Sequence, residues 1–316
     1  MLSSKQPPNQ TKKTAQTQTE PQTEPPPPAD LNQNGPKIMK FIPIVPGKQK
    51  PQLEHDQVAW YPKGKLKGWG GTAIIEQMPS GNIIKTPNPD PYCLAEEQEH
   101  CNNLRLEASI YRAIGDHPRL PKMLGWNDLL CCLEMEYLEN GDLRSYLREK
   151  EEKEKESGEG EKIALELRQK WCMQTAEAVA VLHEHQVVHC DLSPRNFLLD
   201  SELNIKISDF GGSSFRGGRP SAIPGTRFRH HSYDIDAVPT VQDEVFALGS
   251  LIYFILEGAY PLKDLSSEEF DRAYEAEEFP DTSLLVYGHV IRQCWKREIH
   301  SAQAVYQALI RRHSIN

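Results

Sequence analysis

The chain has 316 residues, 38% of them apolar, enough for one sizeable core in a two-part domain with a tail to spare. Its formal charge of −9 argues against general binding to nucleic acid or anionic membranes. No apolar run reaches the length of a membrane span and no signal-peptide core is visible at the N-terminus. Seven cysteines without a C-x-x-C pair or zinc-like spacing fit a reducing intracellular setting, cytoplasmic or nuclear.

In chain order, residues 1–56 are dominated by Pro, Gln, Thr and Lys, which predicts a disordered tail, with a proline-rich docking ligand as the functional alternative. The exception is the apolar patch Lys37 to Val45, which is able to pack on the domain. Between Val58 and Pro87, β-forming segments separated by Gly and Pro predict a small antiparallel sheet with a hairpin turn at Pro79-Ser80-Gly81-Asn82. Leu104, Ile110 and Ile114 fall at helical spacing in a segment from Leu94 to Ile114 that His117-Pro118 terminates. Leu129 to Met135 reads as a buried strand and Glu136 to Gly141 as an exposed connector. A helix from Gly141 to Glu149 runs into a charged insert, 150–162, expected to be a solvated helix extension fading into a flexible loop. Ile163 to His185 is a long amphipathic helix, Val245 to Leu256 a buried one too short to span a bilayer, and Ser266 to Ile315 is patterned for further helices. The expected architecture is α+β and two-lobed, with a sheet-rich N-lobe plus one helix (about 57–135) and a larger, mainly helical C-lobe (about 141–316).

The chemistry concentrates in His189 to Gly211, HCDLSPRNFLLDSELNIKISDFG. Asp191 is able to orient a hydroxyl, and Asn196 and Asp209 add oxygen groups suited to Mg²⁺ held against nucleotide phosphates. Such a site needs a glycine-rich turn and a lysine in the first lobe. Gly68-Trp69-Gly70-Gly71-Thr72-Ala73 and Lys85 supply them in order.

These segments resemble the eukaryotic-type protein kinases, whose patterns are H-R-D-L-x-x-x-N, D-F-G and G-x-G-x-x-G-x-V. The resemblance implies that Gly68, Gly70, Gly71 and Lys85 bind ATP phosphates, that Glu107 orients Lys85, and that Glu136 and Leu138 offer their backbone to adenine in front of Met135. It implies for Asp142 either the ribose or an N-cap, for Asp191 the catalytic base, for Arg195 the helper charge on the γ-phosphate, and for Asn196 and Asp209 the metal. ATP and Mg²⁺ are the implied cofactors and a protein the implied substrate, with the chain acting as a monomer.

Several positions depart from the pattern. Ala73 replaces the third glycine, Ile83 the small residue over adenine, Cys190 the arginine of H-R-D and Ser193 a frequent lysine. Cys190 cannot hold a phosphorylated loop through a guanidinium, so regulation by loop phosphorylation is not expected. No A-P-E follows Gly225-Thr226, and no R-P follows Cys294-Trp295, so both halves of a family ion pair are missing together. Glu244 stands where an aspartate usually braces the catalytic loop. Arg195 follows the tyrosine-kinase pattern and Thr226 the serine/threonine one, leaving a Ser/Thr or Tyr acceptor. Ser213, Ser214, Ser221 and Thr226 are candidate phosphosites, with a solvated hydroxyl as the plainer reading of each. The combination HCDLSPRN, DFGGSS, GTRFRH and DEVFALG resembles the small stand-alone protein kinases of filamentous fungi. Phosphoryl transfer to protein is the leading expectation. A nucleotide-binding pseudokinase scaffold is the alternative, and a small-molecule kinase of the aminoglycoside or choline type the third.

Overall fold

A computed structural model describes residues 40–44, 52–54, 57–90, 92–157 and 163–313. Most of the tail read as disordered, residues 1–39, and residues 158–162 of the charged insert lie outside them. Within the stretch assigned to the tail, strand β1 (Lys40–Pro43) pairs in parallel with β2 (Gln57–Trp60), so the boundary drawn at residue 56 cuts a paired unit. The buried Ile44 donates its N–H to the Trp60 carbonyl at 2.8 Å.

The N-terminal sheet comprises β3 (Lys65–Trp69), β4 (Ala73–Gln77), β5 (Ile83–Pro87), β6 (Met123–Asn127) and β7 (Cys132–Met135), antiparallel in the order β3-β4-β5-β7-β6. The expected hairpin turn joins β4 to β5, where Gly81 takes φ +94° and donates to the Met78 carbonyl at 2.9 Å. Helix α1 (Leu94–Ile114) packs on this sheet over the expected residues. The Asp90 carboxylate accepts the N–H groups of Tyr92 and Cys93 just before it, and Gly115 at φ +77° closes its end. The expected strand from Leu129 is shorter than its apolar run. Leu129 and Leu130 are exposed at the β6–β7 turn, where the Asn127 side chain caps Leu130 N–H and Cys131 takes φ +49°.

The C-terminal lobe is helical around two antiparallel strand pairs. Helix α2 (Leu143–Ser157) continues past Glu149 into the charged insert, as the expected helix extension, since the Glu/Lys run is a good helix former. Helix α3 (Leu165–Glu184) buries Trp171, Cys172, Ala178, Val179 and Leu182. It is followed by β8 (Val187–Val188), β9 (Phe197–Leu199), β10 (Ile205–Ile207) and β11 (Ser214–Phe215). Helix α4 (Val241–Glu257) is apolar nearly all round, as its sequence requires, and packs against α3 and against α6 (Gly288–Trp295). Its first turn is tied by the Asp243 carboxylate, which accepts both the N–H (2.8 Å) and the hydroxyl (2.7 Å) of Thr240, and Gly258 at φ +77° ends it. Helices α5 (Ser267–Glu275) and α7 (Ala302–His313) complete the lobe. Among the described residues no helix is long and apolar enough to cross a membrane.

Candidate active site

The two halves of the 189–211 stretch meet because of strand pairing. β8 pairs antiparallel with β11, and β9 with β10, so the loop 189–196 between β8 and β9 lies beside the loop 208–213 between β10 and β11. His189, 1% exposed, ties the loops together. Its Nε2–H donates to the Ser208 carbonyl at 2.9 Å, its Nδ1 accepts the Asp191 N–H at 3.3 Å, and its own carbonyl accepts the Ser213 hydroxyl at 3.2 Å. Phe210 is buried under the rings of His189 and Tyr111, whose centroids lie 5.6 and 5.0 Å from its own. This brings D-F-G into contact with α1.

Lys85 sits where β5, α1 and the 208–213 loop converge. Its Nζ donates to Glu107 Oε1 and Oε2 at 2.9 and 2.7 Å and to Asp209 Oδ1 at 2.9 Å. Glu96 and Glu99, earlier on the same helix, are exposed. Burial alone would push the Lys85 ammonium toward neutrality, but Asp209 and Glu107 outweigh it and hold its pKa above the usual lysine range. Burial raises the Glu107 carboxyl, while the adjacent Lys85 charge keeps Asp209 below the usual aspartate value.

Asp191 and Asn196 form a second pair. Asn196 Nδ2 donates to the Asp191 carbonyl at 2.7 Å and to its Oδ2 at 3.0 Å, which leaves the Asn196 Oδ1 outside these two bonds. Burial raises the pKa of Asp191. Both Cys190 and Asp209 take positive φ, +68° and +72°. The Cys190 N–H is held by Glu244 Oε1 at 2.8 Å, and the other carboxylate oxygen meets His183 Nε2 at 2.8 Å. Glu244 thus braces the loop as the shorter acid would, using its extra reach to engage a histidine on α3.

Between the lobes lies a cavity of about 340 Å³. Its lining includes Gly68, Lys85, Glu107, Glu136, Leu138, Asp142, Arg195, Asn196 and Asp209 from the sequence-derived set, with Ile83 and Met135 beside them. Gly70, Gly71 and Asp191 are not in the lining. Among the described residues, neither the Glu136 carbonyl nor the Leu138 N–H has a backbone partner, whereas Glu136 N–H donates to Lys122 O at 3.0 Å. Leu138 is buried, unlike the exposed connector expected there. Asp142 Oδ1 accepts Ser145 N–H at 2.9 Å, the N-cap geometry, while its side of the chain still faces the cavity. A larger hollow of about 490 Å³ beside α6 and α7 contains none of these residues.

Several contributors escaped sequence reasoning. The Glu136 carboxylate accepts Lys122 N–H at 2.9 Å and pairs with Lys206 at 3.0 Å, clipping the connector to the C-lobe from behind. Arg227 donates to the carbonyls of Pro261 (3.2 Å), Leu262 (2.7 Å) and Leu265, with its guanidinium 4.6 Å from the centre of the Phe270 ring. Arg229 pairs with Asp271 at 3.7 Å. The solvated-hydroxyl reading fails for Ser213 and Ser214, which are 1% and 2% exposed, with Ser214 Oγ donating to Gly218 O at 2.6 Å. Ser221 is exposed.

The model of the family described as protein tyrosine and serine/threonine kinase matches residues 84–307, well over half of the chain. The serine/threonine-protein kinase kin-29 of Caenorhabditis elegans is 30% identical over 234 residues, 69% of this chain and 26% of its own length. The serine/threonine-protein kinase LMTK3 of Mus musculus is 29% identical over 223 residues, 64% of this chain and 15% of that one. An Aurora kinase of Schizosaccharomyces pombe is 25% identical over 245 residues, 73% of this chain and 63% of that protein. The chain thus spans less than two thirds of the length of each of these relatives. On the family match and the two-lobed fold, the chain belongs to the protein tyrosine and serine/threonine kinase family.

Proposed function

We propose that the chain transfers the γ-phosphoryl group of Mg-ATP to a serine or threonine hydroxyl of a protein substrate. The observation that carries this is Lys85 bridging Glu107 and Asp209 at one wall of an inter-lobe cavity that Asn196 also lines. Phosphoryl transfer depends on positioning and electrostatics, and these are the groups that position. Lys85, oriented by Glu107, holds the phosphates. The free Glu136 carbonyl and Leu138 N–H meet the adenine edge, with Ile83 packing over it. Asp191 accepts the proton of the attacking hydroxyl, and Arg195 adds positive charge beside the γ-phosphate. Serine or threonine as acceptor follows from the relatives named serine/threonine kinases, and the narrower likeness to fungal stand-alone kinases rests on the motif combination.

The donor set suits Mg²⁺. Asn196 Oδ1 and the second Asp209 oxygen are hard ligands left over from the hydrogen bonds above, and among the described residues no cluster of three His, Cys, Asp or Glu forms a closed metal cage. Mg²⁺ with one or two protein oxygens completes its shell with phosphate and water, and when bound it neutralises developing charge on the phosphates.

A nucleotide-binding scaffold without transfer is the second reading. It is favoured by Ser193, buried with no partner for its hydroxyl where many kinases carry lysine. Purified chain given labelled Mg-ATP and a mixed protein substrate, beside Lys85→Met and Asp191→Asn, separates the two. Transfer that both substitutions abolish is expected. Nucleotide-dependent thermal stabilisation without transfer would replace the enzyme by the scaffold, and label on a sugar or amino alcohol would move the assignment to the small-molecule kinases.

A further inference from the structure

The glycine turn of residues 70–72 is pinned by one side chain outside it. Asn88, just past the end of β5 and 7% exposed, donates from its single Nδ2 to the carbonyls of Gly70 at 2.9 Å and Gly71 at 2.8 Å. Its backbone N–H donates to Thr72 O at 2.9 Å, and its own carbonyl accepts from His100 Nδ1 on α1 at 3.0 Å. The amide orientation is set by these partners, since an oxygen in place of Nδ2 would face two carbonyl oxygens.

In a trans peptide, C=O and N–H point in opposite directions. With the Gly70 and Gly71 carbonyls both drawn to Asn88, the N–H groups of Gly71 and Thr72 are turned away from it together. Among the described residues neither has a backbone acceptor. Two successive N–H groups without backbone acceptors, turned to the same side, are suited to meeting an anion. Asn88 maintains this arrangement at a cost, because its Oδ1 is buried without a partner.

We propose that Asn88 is a positioning residue for the nucleotide phosphates: it holds the glycine turn with two amide N–H groups presented to them, and it fastens that turn to the helix that carries Glu107. The inference rests on the Mg-ATP reading above and adds the residue that pre-forms the loop. Neither glycine alone achieves this, since freedom at Gly70 and Gly71 permits many orientations of the two peptides.

The test is calorimetric titration of the full chain and of Asn88→Asp and Asn88→Ala with Mg-ATP, Mg-ADP and adenosine. Asn88→Asp keeps the shape but turns a carboxylate onto two carbonyls, and Asn88→Ala removes the donor. Both phosphate-bearing ligands should bind about tenfold more weakly to either variant, while adenosine affinity stays within about twofold. Unchanged adenosine binding also reports that the variants are folded. Equal weakening of all three ligands, or no weakening of any, overturns the role of Asn88 while leaving nucleotide binding by the wild type intact. A wild-type chain that binds neither ATP nor adenosine overturns the nucleotide reading and this inference with it.

Discussion

Glu244 accepts the backbone N–H of Cys190 at 2.8 Å, and that amide precedes Asp191 by one residue. The bond crosses from α4 to the loop between β8 and β9 and fixes a backbone held at positive φ. Glu244→Ala would leave the Cys190 N–H buried without a partner and His183 without its carboxylate, destabilising the fold by about 1–3 kcal/mol in denaturant melts. Turnover should fall with little change in ATP affinity, because no residue facing the nucleotide is touched. Glu244→Asp, shorter by one methylene, should keep only one of the two partners and give an intermediate loss in both measurements.

In the proposed role as base, Asp191 should set the acid limb of the pH profile. Burial raises its pKa, so kcat/KM should decline with falling pH from a point above the ordinary aspartate value of about 3.9. A carboxyl whose folded-state pKa exceeds its unfolded one costs stability while ionised. That cost is fully present above the folded pKa and disappears below the unfolded one. Asp191→Asn should therefore abolish transfer yet be at least as stable as the wild type in urea melts at neutral pH.

The Arg227 guanidinium is set among backbone carbonyls of the loop between α4 and α5. Arg227→Ala strands those carbonyls and frees the 226–228 segment from the α4–α5 loop, which should raise the KM for the protein substrate while nucleotide affinity holds. Arg227→Lys, a point charge without the planar fork, should recover only part of the loss. Steady-state kinetics with each substrate varied in turn reads the split.

Gly249 marks a close approach of α4 to α6. A Cβ there would lie 2.6 Å from Cys294 Cβ and 3.3 Å from the Ile291 carbonyl. Gly249→Val should destabilise the chain by about 1–3 kcal/mol, read as a lower denaturant midpoint, through overpacking and without a direct effect on the nucleotide cavity.

How much of this was visible beforehand depends on what kind of partner each residue has. Lys85, Glu107, Asp191, Asn196 and Asp209 were legible because their chemistry is carried by side chains at recognisable spacings, and the structure brings four of them to one cavity wall. Asn88 and Arg227 were not, because their partners are backbone carbonyls, which leave no trace in residue identity. Glu244 was noted as a departure, but its second partner, His183, lies 61 positions away on another helix. Local propensity explains a misjudged element. The apolar Leu129-Leu130 looks like strand until Asn127 and the left-handed Cys131 turn it outward, whereas the Glu/Lys run, expected to extend the helix before fading into loop, is helical as far as Ser157.

Cys190 and Asp209 both hold left-handed backbone without being glycine, at a cost of about 1 kcal/mol or more each. A library selected only for heat resistance should accordingly accept glycine more readily at Cys190 than at Asp209, where glycine would take one of two carboxylates from the buried Lys85 ammonium. At Cys190 the exchange relieves the backbone and discards a thiol with no assigned chemical role. At Asp209 the same relief removes the carboxylate that balances Lys85. The same left-handed strain can thus be relieved freely in one loop, while in the other it is tied to the ion pair that keeps Lys85 charged.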